Sequence, residues 1–262
     1  SKIIPEGYLI NNKTVETLIL LEGFTEIGYS AFCSCTNLKR AFLPESLEII
    51  RNYAFAYCKS LTKIEIPDKV KTIENWAFYA CTSLTKIDLP ESLETIGDNA
   101  FTQCGSLLEI EIPDKVKTIG NYAFAECESL TKIEVPKSLK AIGNYAFAHC
   151  RSLTKIEISN NVKTIEKGAF SECTNLKEAY LPETLETIER YTFYKCENLP
   201  KIEIPNTVKT IGDKAFAHCR SLTKIEISNN VKTIEYGAFY NCENLQEIII
   251  DNTEEYVQQN WS

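Results

Sequence analysis

The sequence predicts an α/β solenoid, a stack of similar coils with a parallel β-sheet on the concave side and short helical or 3-10 turns on the convex side. Three observations predict it. Phe32, Phe55, Phe78, Phe101, Phe124, Phe147, Phe170, Phe193, Phe216 and Phe239 recur every 23 residues without a slip, and a fixed period of this size marks a repeat architecture. A Cys follows each Phe by three residues, from Cys35 to Cys242. Each unit also carries one short run such as Lys63-Ile64-Glu65-Ile66, the period-two alternation of a strand.

The unit from Leu61 to Leu84 sets the element order. Leu61, Ile64, Ile66, Val70, Ile73, Ala77, Phe78 and Cys81 keep an apolar or small residue in nearly every repeat and are expected to face inward. The strand ends where Pro67 removes a backbone donor. Val70-x-x-Ile73 then crosses the bottom of the coil. Asn75, before Trp76-Ala77-Phe78, reads as an N-cap on about one helical turn. Asn52, Asp98, Asn121, Asn144 and Asp213 repeat the cap, whereas Lys167, Arg190, Tyr29 and Tyr236 replace it.

Residues 1–250 read as a single solenoid, with a degenerate cap coil at 1–27 and about ten regular repeats over 28–250. In the cap coil Val15, Leu18, Leu20, Phe24 and Ile27 continue the inward pattern, and Asn12 takes the place of Cys. Residues 251–262, with Tyr256, Val257 and Trp261, read as a tail that folds over the last coil. Pro200 stands where Thr62 does, so its strand is expected to start no earlier than Lys201.

The pattern Cys-x-x-Leu-x-x-Ile-x-Ile-Pro-x-x-Val-x-x-Ile-x-x-x-Ala-Phe resembles the BspA-like class of leucine-rich repeats over roughly residues 9–250. The resemblance implies a right-handed leucine-rich-repeat horseshoe. It also implies a secreted or surface-attached protein, extracellular or at the cell surface, of a kind that acts as an adhesin for host matrix proteins or other cells.

Composition bounds the partners. Ten coils at ~4.8 Å give an inner face of roughly 50 Å, a length suited to a macromolecule. A net charge of −8 argues against nucleic acid, and no apolar run is long enough for membrane insertion. The chain holds no Met, so Ser1 is not expected to be the translated start, and no signal peptide is visible. A monomer is slightly favoured over an assembly.

Eleven cysteines would ordinarily suggest disulfides or metal. Ten of them recur once per coil at an inward position and no Cys-x-x-Cys pair occurs, which favours a column of buried thiols over a zinc site. Neighbouring Cα atoms still lie within disulfide range, so oxidation stays open. Cys33 breaks the period and is the thiol expected to be reachable.

Two surfaces offer candidate binding residues. On the concave face, Lys63, Lys86, Lys132, Lys155, Lys201 and Lys224 make one column, and Glu65, Asp88, Glu111, Glu134, Glu157, Glu203 and Glu226 the next. Diagonal Lys to Glu pairing is expected to make it a solvated lattice. Arg40 with Phe42, and Glu178 with Tyr180, interrupt it, and exposed aromatics on a charged face are reasonable anchors. On the turn side, Tyr53, Trp76, Tyr122, Tyr145 and Tyr191 precede the buried Phe by two residues. They read either as packing between turns or as a strip for protein or glycan.

Edge charges alternate as Glu48, Lys71, Glu94 and Lys117, a 46-residue pairing that fails through Lys140 and Lys163. Residues 146–166 and 215–235 are identical, which implies recent duplication or deliberate reuse. The only histidines, His149 and His218, are copies within that block. No convergent acid, base or nucleophile is visible, and Gly28, Gly97, Gly120, Gly143 and Gly212 share their position with Arg51, Glu74 and Glu166, so they are turn residues. No enzyme, cofactor or metal is expected. The function expected is binding of a host or matrix protein, with glycan as a further partner. The alternative is a structural spacer or engineered scaffold without a specific ligand.

Overall fold

The computed structural model describes residues 2–250; the expected tail cap at 251–262 lies outside them. The chain winds as stacked coils, and every bonded strand pair is parallel. Two ladders of strands run the length of the stack. The first contains the Lys–Glu strands Thr17–Ile19, Arg40–Phe42, Lys63–Glu65, Lys86–Asp88, Glu109–Glu111, Lys132–Glu134, Lys155–Glu157, Glu178–Tyr180, Lys224–Ile227 and Glu247–Ile250. They pair in register at intervals of 23 residues, Lys63 with Lys86 and Ile64 with Ile87, with breaks in the bonding after Asp88, Glu134 and Tyr180.

The second ladder corrects the expectation of one sheet. The stretch expected merely to cross the bottom forms strands of its own, among them Thr72–Ile73, Thr95–Ile96, Thr118–Ile119 and Ala141–Ile142. Eight of them, from Lys2–Ile4 to Thr164–Ile165, form one continuous sheet. Ile73 and its equivalents point inward, while a column of Thr points out.

The convex turns also differ from expectation, for the described residues contain no helix, α or 3-10. Backbone hydrogen bonds explain why. Ala54, Ala56 and Cys58 donate their N–H groups within the coil, to Arg51, Tyr53 and Phe55 carbonyls at 3.1–3.2 Å. Tyr53, Phe55 and Tyr57 instead donate to Asn75, Ala77 and Tyr79 of the next coil at 2.7–3.1 Å. An α-helix would spend all these donors on its own i−4 carbonyls. Two left-handed residues per coil make the alternation possible: Tyr53 (φ 59°) and Tyr57 (φ 60°), then Trp76 (φ 56°) and Ala80 (φ 55°). Gly168 and Gly237 occupy the first of these positions, where their freedom at positive φ is in use.

Asn75 is accordingly not an N-cap. Its Oδ1 accepts the N–H of Asp98 in the next coil at 2.8 Å, as Asn52 does from Asn75, Asp98 from Asn121 and Asn121 from Asn144 at 2.7–2.9 Å. The 46-residue pairing has a hydrogen bond of its own. The hydroxyls of Ser46, Ser92, Ser138 and Thr184, spaced 46 residues apart, donate to the carbonyls of Phe24, Val70, Val116 and Val162. Thr207, donating to Leu185, breaks the phase.

Pro200 has a larger effect than a delayed strand start. At its position Thr85 and Thr131 donate N–H to the preceding coil at 3.1 and 2.9 Å. Pro200 cannot, and residues 201–204 form no strand at all.

Between the sheets and the turns, the Phe column fills the interior. Successive rings lie 5.2–5.9 Å apart with planes within 22°, and Phe32 through Phe216 are fully buried. From Cys58 on, each column thiol donates to the carbonyl of the preceding coil's Phe, Cys58 to Phe32 and Cys127 to Phe101 at 3.2–3.3 Å, while Cys35 donates to the Leu9 carbonyl at 3.2 Å. All eleven cysteines are free thiols, nine of them buried. Burial pushes Cys104 and Cys173 up to about 12, and Cys35 and Cys242 up to about 11. Since only thiolate reacts, iodoacetamide under native conditions should label half-buried Cys33 first and Cys242 slowly, and the nine others only on unfolding. Uniform labelling by mass spectrometry would show that the column opens locally.

One ion-pair network ties three coils together. The Arg51 guanidinium donates to both Glu26 oxygens at 2.8 and 3.0 Å and to Glu74 at 2.7 Å. These bonds hold the Glu26 carboxyl below its ordinary value of 4.5. The stabilisation is present above 4.5 and is lost as the pH falls through the lowered value. Arg51→Gln should therefore cost about 1 kcal/mol at neutral pH and progressively less as the pH falls through the lowered Glu26 value, as read by urea denaturation at neutral and at acid pH. An equal loss at both would assign Arg51 a packing role alone.

Candidate functional site

The Lys–Glu sheet presents its outward side chains as two columns. Ion pairing within the lattice is chiefly along one strand rather than diagonal: Lys63 meets Glu65 at 2.8 Å, Lys86 meets Asp88 at 3.1 Å, Lys224 meets Glu226 at 2.8 Å, and Lys132 meets Glu134. Residues two apart on a strand share a face, so a Lys can fold back onto its own Glu. Exposed pairs of this sort contribute little stability, and Glu109, Glu111, Lys201 and Glu203 on the same face have no ion-pair partner within 4.0 Å among the described residues.

The interruptions stand out against that lattice. Phe42 is 53% exposed and Tyr180 51% exposed, six coils or ~29 Å apart. Phe42 lies beside Ile19 of the preceding strand, which is 63% exposed. Ile19 lies in the first coil, whose departure from the repeat hides it among the cap residues. Arg40, on the same strand, is exposed. A shallow trough of about 440 Å3 runs from Arg40 and Phe42 to Lys63, Glu65 and Asp68.

Tyr180 is oriented by its neighbours. Its hydroxyl donates to Glu178 Oε2 at 3.0 Å, and Lys155 Nζ lies 5.1 Å from the ring centroid. The Glu178 contact pushes the phenol's pKa up, so the hydroxyl stays a donor at physiological pH. Tyr180 and Ile249 border a trough of about 610 Å3 over Lys201–Pro205, where the strand is missing.

The turn-side aromatics form a separate group on the left-handed ridge and do not join this site. Tyr53 stacks on Trp76 at 5.2 Å with planes 1° apart, and Tyr122 on Tyr145 at 5.1 Å and 16°. Gly168 leaves no room for a side chain beneath the Tyr145 ring. Tyr191 meets Tyr194 edge-on at 5.5 Å, with the Arg190 and Lys214 cations 5.9 and 5.8 Å from its ring. Their ring faces are largely occupied by one another and by neighbouring cations, which leaves edges for a partner; of Tyr53, Trp76, Tyr122, Tyr145 and Tyr191, Tyr122 is the most exposed, at 40%. Asn99 divides the row.

His149 and His218 sit on the same ridge, four residues further along. His149 Nδ1 lies 3.3 Å from Glu172, whose other oxygen meets Lys195 at 3.3 Å, and His218 Nδ1 lies 3.0 Å from Asn241. Among the described residues no group of three or more His, Cys, Asp or Glu is arranged to hold a metal ion.

Comparison with known proteins places this architecture. The model of the BspA type leucine rich repeat region matches residues 2–116, 94–200 and 186–261, with six copies. No curated protein matches the chain. Among solved structures, a leucine-rich repeat protein from Bacteroides ovatus is 27% identical, with a TM-score of 0.63 over 94% of this chain and 75% of that one. A leucine-rich cell surface protein from Faecalibacterium prausnitzii is also 27% identical, with a TM-score of 0.57 over 98% and 84%. A leucine-rich repeat protein of T. pallidum reaches 34% identity and a TM-score of 0.60 over 66% of this chain and 82% of that one. The matched repeats span the stack, and the chain belongs to the BspA-type leucine-rich-repeat family.

Proposed function

We propose that this chain is a non-catalytic, protein-binding module of a secreted or cell-surface adhesin, and that it engages a host or matrix protein through its Lys–Glu sheet. One observation carries the reading: two large rings are more than half exposed on a face where Lys63, Lys86, Lys132, Lys155 and Lys224 are ion-paired along their own strands. Exposed aromatics of this kind supply most of the energy in protein contacts, while ion-paired surroundings supply fit and on-rate. The surface origin of the Faecalibacterium prausnitzii relative supports the location. A span of ~29 Å between Phe42 and Tyr180 suits a folded protein.

The test is binding of the purified chain to immobilised fibronectin, laminin and collagen, beside Phe42→Glu, Tyr180→Glu and the double variant. The parent should bind at least one, each single change should weaken that binding about tenfold or more, and the double variant should abolish it. A parent that binds nothing would favour the second reading, a spacer whose repetition is structural. The identity of residues 146–166 with 215–235 supports that alternative.

A further inference from the structure

The lysine run at the edge of the second sheet has no role in the reading above. Lys117, Lys140 and Lys163 hold equivalent places in three consecutive coils. Lys140 N donates to Lys117 O at 2.8 Å, and Lys163 N to Lys140 O at 2.8 Å, so the backbone fixes them in file with a spacing of ~4.8 Å. Lys115 and Lys137 stand beside them, the latter tied by the Asn161 amide donating to its carbonyl at 2.7 Å.

In this same column Lys209 lies 3.0 Å from Glu186, whereas Lys232 reaches only the Asn229 carbonyl at 3.0 Å; the run is set apart by having three such lysines in consecutive coils. Among the described residues no carboxylate lies within 4.0 Å of Lys117, Lys140 or Lys163; Lys117 reaches only the Asp114 carbonyl, at 3.4 Å. Glu94 and Glu186 bound the run, Asp114 and Glu166 stand beside it, and Glu189 lines the same trough as Lys140 and Lys163. Like charges at this spacing repel, and screening over ~8 Å keeps the remote acids of a −8 chain from cancelling them.

We propose that this stripe binds a linear sulfated polysaccharide lying along the solenoid axis. A linear sulfated polysaccharide is extended and permanently charged, so it can follow a straight file of ammonium groups, with affinity that comes from neutralising them. Carboxylates on one face of an extended peptide recur at ~6.6 Å, out of step with the file. Single-stranded nucleic acid is held by aromatic platforms, and residues 113–120, 136–143 and 159–166 contain no aromatic side chain.

The experiment is titration with a heparin oligosaccharide between about 50 and 200 mM salt. The parent should bind with an affinity that falls with salt. The triple variant Lys117→Gln, Lys140→Gln, Lys163→Gln should lose at least about tenfold and about 2–3 from the salt slope. The triple variant Lys63→Gln, Lys86→Gln, Lys132→Gln removes the same charge from the other sheet and should stay within about twofold of the parent. Desulfated heparin should not bind. A parent that fails to bind heparin at low salt, equal losses in both triples, or tighter binding of polyglutamate or single-stranded DNA of equal charge would each overturn the proposal.

Discussion

Phe124→Ala should destabilise the stack by about 3–5 kcal/mol, the range for emptying a fully buried aromatic site. Phe124 is 0% exposed, and its ring lies 5.2 Å from Phe101 and 5.4 Å from Phe147. The cavity cannot collapse, because neighbouring coils are held at a fixed spacing by bonds such as Phe124 N to Ala146 O and Phe101 N to Ala123 O, both 2.8 Å. In a repeat protein each coil is stabilised by its two neighbours, so one deletion weakens two interfaces at the centre of the array. Urea denaturation should show a lower midpoint and a broadened or split transition as the two halves uncouple. Phe239→Ala, half-buried with one stacked ring neighbour among the described residues, Phe216 at 5.4 Å, should cost less than half as much. An unchanged midpoint for Phe124→Ala would show that the Phe column does not hold the coils together.

Ser159→Pro with Ser228→Pro should stabilise the chain by about 3 kcal/mol in total. Seven other coils carry proline at this corner: Pro44, Pro67, Pro90, Pro113, Pro136, Pro182 and Pro205. The turn is the same with either residue, since Val162 N donates to Ser159 O at 3.0 Å as Val70 N does to Pro67 O at 3.0 Å. The serine hydroxyls of both copies are buried without a hydrogen-bond partner. Each substitution removes an unsatisfied polar group, worth about 1 kcal/mol, and restricts the unfolded chain, worth about 0.4–1 kcal/mol. The sites lie three coils or ~14 Å apart, so the gains should add. A rise in Tm with an unchanged urea slope is expected; a fall would mean that the serine N–H or hydroxyl is used by the folded state.

The period made the interior legible before any coordinates. Phe78 and Cys81 recur in every regular coil, and a residue repeated at a fixed interval in a solenoid must form a column. The turns were not legible in the same way. Asn75-Trp76-Ala77-Phe78 looks locally like a capped helical turn, and only hydrogen bonds to the next coil decide against it. The overlooked signal was Gly168, Gly237 and Asn99 in the column of Tyr53 and Trp76, residue types that mark left-handed backbone. Thr72–Ile73 is too short to show a period of two, so the second sheet was visible only as a Thr column down the repeats. At the candidate site, Phe42 and Tyr180 could be read as interruptions of a pattern, whereas Ile19 could not, because its coil departs from the repeat. Whether the aromatics on the ridge pack or bind depended on the distances between rings, which one sequence does not contain.

Amide hydrogen exchange locates the binding face most directly, with the chain measured alone and with saturating amounts of whichever of fibronectin, laminin or collagen it binds. The account predicts added protection over 17–21, 40–45, 178–183 and 201–205, with the left-handed ridge at 53–57, 76–80 and 122–126 unchanged. Protection confined to the ridge would contradict it and place the partner on the stacked aromatics instead.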